Sequence, residues 1–197
     1  MRHIKTTFTQ KESKMQNVLI ISGHPNLNAS IANREILNEL EKALPTAQIR
    51  RLDTLYPTYQ FNVEAEQAAI LAADVLVFQF PFSWYSVPGL MKLWLDQVFT
   101  HGFAHGSTAQ LGGKKVIFSF TTGAPSALYQ LDGLFRHNVE DYLAQFETFA
   151  TLCGLVYLPP IYTTGISYVG RDEAKIAEQQ TLAKAHAARL IAAIKHA

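Results

Sequence analysis

The residues best suited to chemistry fall in three clusters, each at the end of a short apolar run. Pro81, Phe82, Ser83, Trp84 and Tyr85 follow the run VLVFQF; Pro81 and Pro88 stiffen the backbone and hold Trp84 and Tyr85 as an exposable aromatic pair on which a planar ring can stack. Thr121, Thr122, Gly123, Ala124 and Pro125 follow KKVIFSF. They offer backbone N–H groups, two hydroxyls and a glycine that permits close approach, which suits the electron-rich edge of a heteroaromatic ring made anionic by reduction. Gly23-His24-Pro25-Asn26-Leu27-Asn28, with Ser30 behind it, follows NVLIIS and leads into a helix, whose first amides attract phosphate. Each cluster alone also has a plainer reading, as a capped turn, a packed rim or an ordinary strand-to-helix connection.

Other chemistries are disfavoured. The first loop lacks GxGxxG and GxxxxGK[ST], so neither the ordinary dinucleotide fingerprint nor a triphosphatase loop is present. His101 and His105 are four apart, but Gly102 and Gly106 disfavour a helix there and no third ligand is near, so no metal is expected. Ser-His-Asp order and a nucleophile elbow are absent. Cys153 reads as a small packed apolar residue and, being the single cysteine, rules out an internal disulfide and favours a reducing compartment. With 17 basic and 16 acidic side chains, nucleic acid is not an expected partner. No apolar run approaches the roughly 20 residues that span a bilayer, and the leader MRHIKTTFTQKESK lacks an apolar signal-peptide core. A cytoplasmic location follows as an expectation.

These clusters need elements to position them. Residues 1–16 read as a polar extension and 17–197 as one domain. Strands are expected at 17–22, 48–53 (weak, outer), 75–80, 114–120 and 155–162, the last interrupted by Pro159-Pro160 as suits an edge. Helical spacing covers 30–44, 63–73, 89–99, 138–153 and 171–197, with an irregular aromatic loop at 55–61 and a long glycine-bearing loop at 101–113. This alternation predicts an α/β fold, a doubly wound parallel five-stranded sheet of order 2-1-3-4-5. The loops after strands one, three and four would meet at the topological switch point.

Taken together, GHPNLNAS, AEQ at 65–67, FQFPFSWYSVPGLMKLWLDQVF, HGFAHG and TTGAPSALYQLDG resemble, in this order, the flavodoxin-like NAD(P)H:quinone oxidoreductases. The likeness is to the branch holding modulator-of-drug-activity-B-type reductases and the ancillary flavoproteins of glutathione-gated potassium efflux. It covers about 17–158, and the proline-bracketed block is its most specific part. The resemblance implies a flavodoxin-like fold, tightly bound FMN or FAD, NADPH or NADH as electron donor, a quinone as acceptor, and a homodimer with active sites at the subunit boundary. It implies ping-pong transfer of two electrons, with hydride passing to flavin N5. Its other possibilities are an ancillary subunit on the inner face of a potassium efflux transporter, or an azo or nitro reductase.

Carried over by residue, the resemblance places His24, Ser30 and Ile31 around the flavin phosphate with Asn33 supporting that loop, and Gln67 toward the cofactor's outer portion. Pro81, Phe82, Ser83, Trp84 and Tyr85 would line one side of the isoalloxazine; Thr121, Thr122, Gly123 and Ala124 would follow its pyrimidine edge; Tyr129 would bond near the flavin carbonyl. Phe103 and His105 of the partner subunit would approach the nicotinamide or quinone, with Tyr129 and His105 as the catalytic candidates. Three departures stand out: Ala124-Pro125 replaces a second glycine, Phe135 stands where mammalian-type enzymes carry a histidine, and His105 stands where a tyrosine is common. A Tyr-His proton relay is therefore in doubt, and His137 is only a sequence neighbour. FMN against FAD, and NADH against NADPH, stay open.

Overall fold

A computed structural model describes residues 16–197; apart from Gln16, the expected N-terminal extension lies outside the described residues. The chain runs β1 (Val18–Ser22), α1 (Ala32–Ala43), β2 (Gln48–Arg51), α2 (Leu52–Leu55), α3 (Val63–Ala72), β3 (Val75–Pro81), α4 (Gly89–Val98), β4 (Lys115–Thr121), α5 (Ala144–Leu152), β5 (Val156–Tyr157), β6 (Ile161–Thr163) and α6 (Glu173–Lys195). All strands pair in parallel, in the order β2-β1-β3-β4-β5, with β6 also on β4.

Two details correct the sequence reading. The fifth position holds two short strands, not one, because Pro159-Pro160 lies between β5 and β6 and proline cannot donate to a ladder. The aromatic loop begins one residue later than expected, since Leu52–Leu55 form a single helical turn with Leu52 buried in the core.

Alternation along the central strands divides the core. Leu76, Phe78, Phe80, Phe118 and Phe120 face α4 and α5, where Trp94 and Phe146 are buried. Phe118 stacks on Phe146 with centroids 4.5 Å apart. On the other face, Ile20, Val75, Val77 and Ile117 meet Ile36 and Leu40 of α1 and Ala183, Ala187 and Leu190 of α6. Both helices carry these residues at three- and four-residue spacing, so a single stripe faces the sheet. Side chains start two of the helices: Asn62 Oδ1 accepts from Ala65 N at 3.0 Å and Asp172 Oδ1 from Lys175 N at 2.8 Å.

Higher on that second face the strands turn polar. His186 of α6 is fully buried between Ser119 Oγ (2.8 Å from Nε2) and Thr163 Oγ1 (2.9 Å from Nδ1), pinning α6 to β4 and β6. Burial, helped by the nearby Arg189 charge, pushes its imidazole down to about 3 from an ordinary 6.5. Below pH 6.5 the unfolded chain therefore binds the proton that the folded chain refuses. Stability is full above that value and falls as pH drops toward 3, by up to about 1.4 kcal/mol per pH unit from this group. Urea unfolding across this window is expected to show that slope in the native sequence and to lose it in His186→Gln; an unchanged slope would assign acid sensitivity elsewhere.

Candidate functional site

Three loops meet at the carboxyl ends of β1, β3 and β4. Gly23 N donates to Gln79 O at 2.9 Å, tying the first loop to β3, and Phe82 N donates to Thr121 O at 2.8 Å, tying the second loop to β4. Pro81 and Thr121 are register partners, so the proline-bracketed loop and the threonine-glycine turn leave the sheet side by side. Thr121 itself is the last residue of its strand rather than part of the turn.

Below these loops lies a buried polar cluster. Asn33 Nδ2 donates to Ser30 Oγ at 3.2 Å and to Thr121 Oγ1 at 3.1 Å, and Asn33 Oδ1 accepts from Gln79 Nε2 at 2.7 Å. One asparagine on the first turn of α1 thus holds the first loop, β3 and β4 together. Asn33 is buried along with Ser30, Gln79 and Thr121. Ile31 takes the N-cap position without a side-chain cap, and among the described residues no hydrogen bond is recorded from the N–H of Ile31 or Ala32. A helix start left open in this way can receive an anion.

His24 Nδ1 accepts from Asn26 N at 3.1 Å, so the neutral ring carries its proton on Nε2. Burial lowers its pKa, with the Asp53 charge pulling the other way. Burial by itself would raise the Asp53 carboxyl, but the Arg51 guanidinium and the N–H of Leu27 outweigh it and leave the pKa lowered. The outcome is a neutral ring with a donor at Nε2. A hollow of about 340 Å³, lined by Asn26, Asp53, Tyr56, Tyr59 and Leu90 among others, adjoins this loop on its β2 side.

The proline-bracketed loop is a tight hairpin turn. Ser83 and Ser86 exchange backbone hydrogen bonds of 3.0 and 3.1 Å, and the central residues Trp84 and Tyr85 have φ of 49° and 65°. Two positive φ values favour Asn-Gly, not two aromatics, so this turn is strained. Gln145 holds it in place: Nε2 donates to Tyr85 O at 3.0 Å and Oε1 accepts from Ser86 Oγ at 2.8 Å. Tyr85 stacks on Tyr142, 5.0 Å away at 16°, while Trp84 is 93% exposed. Phe82 turns its ring inward onto Phe120, centroids 4.8 Å apart, and leaves its backbone at the crevice. Because Trp84 loses no packing when replaced, Trp84→Asn is expected to stabilise the ligand-free protein by about 0.5–1 kcal/mol. Thermal unfolding measures the gain, and a loss of stability would show that the turn is not strained.

In the turn after β4, Thr122 N donates to Thr163 O at 2.9 Å and Thr122 Oγ1 to Ala124 O at 2.8 Å. Gly165 N donates to the same Ala124 carbonyl at 2.9 Å. Gly123 between them is exposed; a Cβ built on it meets nothing within 4 Å and its φ is not in the left-handed region. Neither the turn nor the chain's own packing requires glycine here, and the free space above it fits a ligand lying close to the backbone. Tyr129 is 5% exposed, and burial raises its phenol pKa against the opposing hydroxyl of Thr122. It stays a neutral O–H donor at neutral pH. Phe135 meets Tyr129 edge-on with centroids 5.0 Å apart, an apolar contact where a relay histidine would have to stand. His137 instead lies 3.5 Å from Asp141.

Gln67 and Phe103 are not brought to the crevice of their own chain. Gln67 Nε2 donates to Val98 O at 2.9 Å and Thr100 Oγ1 at 3.3 Å. α4 must run back down the sheet between two parallel strands, so its last turn, and Gln67 with it, lies away from the crevice of its own chain. Phe103 is 5% exposed and packs edge-on against Phe99 in the core. His105 remains half-exposed, its ring edge-on to His101 at 5.4 Å. The tight turn beside it needs Gly106, with φ 93° and the His101 ring 2.6 Å from where a Cβ would sit. Gln79, Tyr142 and Gln145 belong to the site and were not singled out from sequence; only Gln79 carried a signal, as the lone polar residue in VLVFQFP.

The donors match an anionic, planar, flavin-like ligand: an open helix start with a neutral histidine for phosphate, room above Gly123 for a ring edge, and an aromatic turn beside it. Comparisons with known proteins point the same way. Residues 16–188 match the Flavodoxin_2 family model, described as a flavodoxin-like fold. The chain is 40% identical over 158 residues, 79% of its length and 87% of the relative's, to the glutathione-regulated potassium-efflux system ancillary protein KefF of Enterobacter sp. (strain 638). The crystal structure of general stress protein 14 from Treponema denticola in complex with FMN superposes with a TM-score of 0.80 at 34% identity, covering 90% of this chain and 99% of that one. An NADPH-quinone reductase from P. pentosaceus gives a TM-score of 0.70 at 28% identity over 88% of this chain and 96% of its own.

Proposed function

The chain belongs to the Flavodoxin_2 family, and on that premise we propose that it is an FMN-dependent NAD(P)H:quinone oxidoreductase. The observation that carries this reading is the junction of the three loops through Asn33, with open space above Gly123 at its rim. FMN rather than FAD is supported by the FMN complex of the Treponema relative, and the NAD(P)H donor and quinone acceptor by the P. pentosaceus reductase.

Bound FMN would supply reversible acceptance of two electrons from the nicotinamide and their delivery to the quinone. The protein supplies binding and orientation. Ser30, His24 and the open N–H groups of α1 would hold the phosphate, and the Thr122–Ala124 backbone would follow the ring edge. Tyr129, kept protonated by its burial, would hold its Oη–H as a donor for that ring. One site would take donor and acceptor in turn, with ping-pong kinetics, and a homodimer would complete its open side with His105 of the second subunit.

The purified protein is expected to be yellow, to bleach anaerobically with NADPH or NADH, to regain its colour with a quinone, and to give parallel double-reciprocal lines. A protein that gains no visible absorbance with added FMN would overturn the reading. A second role, as an ancillary subunit of a potassium efflux transporter, is supported by the KefF relative and by the exposed pair Leu152 and Val156 at the β5 edge, at the far end of the sheet from the crevice. Changing that pair to serine would abolish transporter association while sparing quinone reduction.

A further inference from the structure

Gln79 sits at the centre of β3, fully buried, between Ser22 of β1 and Ser119 of β4 in register. Its Nε2 donates to Asn33 Oδ1 at 2.7 Å; its Oε1, like the neighbouring Ser22 Oγ, has no partner among the described residues. Asn33 responds by turning its Nδ2 toward Ser30 and Thr121. Ser30 Oγ also accepts from Asn33 N at 3.2 Å, so both of its lone pairs are taken by donors. The one thing that hydroxyl can still give is its proton.

The opposite arrangement satisfies the same atoms differently. With both amides turned over, Asn33 Nδ2 would donate to Gln79 Oε1, and Asn33 Oδ1 would accept the Ser30 proton. The loop hydroxyl would then have no donor left for a ligand. Thr121 Oγ1, 3.3 Å from Asn33 Oδ1, anchors β4 to the same asparagine in either case.

We propose that Gln79 is a positioning residue for anion binding: by donating to Asn33 it commits the Ser30 hydroxyl to donate outward, toward the phosphate of the cofactor. The inference rests on the flavin reading above, and concerns only the phosphate end of the ligand.

The test compares FMN with riboflavin, which lacks the phosphate, by fluorescence titration of the apoprotein. Gln79→Glu places an acceptor opposite Asn33 and forces the turned-over arrangement. It is expected to weaken FMN about tenfold, the size of one charge-assisted hydrogen bond, with riboflavin affinity unchanged. Ser30→Ala should lose the same factor, and the double variant no more than either alone, because both changes remove one interaction. Gln79→Met, which buries no charge and leaves Asn33 free to turn, should lose about threefold for FMN alone, intermediate between the two states; near-UV circular dichroism checks that it is folded.

Equal losses for FMN and riboflavin would mean that Gln79 only supports the fold, and would overturn the proposal, as would unchanged FMN affinity in both Gln79 variants or additive losses with Ser30→Ala. Native protein that binds the two flavins equally would overturn the phosphate contact while leaving the flavin reading in place. Native protein that binds neither would overturn both.

Discussion

Gly123→Val is expected to leave the fold as stable as before and to weaken FMN binding by about 100-fold, some 2.8 kcal/mol at 1.4 kcal/mol per tenfold change. A Cβ at position 123 meets nothing within 4 Å and needs no unusual φ, so the ligand-free chain has room for a side chain. Losing a glycine also restricts the unfolded chain, which favours folding slightly. The bound ring has no such freedom. The turn is pinned on one side by Thr122 N to Thr163 O and on the other by Gly165 N to Ala124 O, both 2.9 Å, so it cannot swing aside to relieve a clash. Overpacking of this kind costs about 1–3 kcal/mol or more. Thermal unfolding of the apoprotein and FMN titration separate the two effects. Native-like FMN affinity in the variant would place the ring away from this turn.

The second large effect concerns stability and spares the site. Glu66 of α3 is fully buried, and its carboxylate accepts from Arg50 Nε at 2.8 and 2.9 Å, from the Arg50 terminal nitrogen and from the Tyr56 hydroxyl. This cluster fastens the edge strand β2 to α3. Glu66→Ala leaves a mostly buried guanidinium and a phenol without their acceptor, and breaking a buried pair in this way costs about 3–5 kcal/mol. The urea midpoint should fall with little change in m-value, while the fraction that remains folded binds FMN as before. Glu66→Gln keeps acceptance at one oxygen and should cost less. A shift of less than about 1 kcal/mol would show that the cluster stabilises no more than an exposed ion pair does.

AEQ at 65–67 is legible in the sequence as a motif, but what its side chains hold is not: in the structure the glutamate holds β2 and the glutamine binds the end of α4. A helix carries adjacent residues to different faces about 100° apart, and nothing local says which face meets the ligand. The same applies to Phe103, whose ring lies in the core of its own chain. A phenylalanine in a glycine-rich loop can be turned either way, and apolar burial decides.

What the sequence determined by itself is the order of elements and the identity of the three loops. Apolar runs bounded by proline and glycine set parallel strands, and their alternation with amphipathic helices admits few topologies, so the 2-1-3-4-5 order and the crevice at its switch point were legible before any coordinates. Only the tertiary structure decided how those loops are held. The hydrogen bonds joining Ser30, Asn33, Gln79 and Thr121 cross up to 88 positions of sequence, as does no local pattern. Likewise, the strain at Trp84 and Tyr85 exists because Gln145 and Tyr142, some 60 residues on, clamp the turn. Periodicity records which residues face the core, because burial acts on each side chain separately. A directional bond between distant polar groups depends on both partners' positions, and those positions exist only once the sheet has formed.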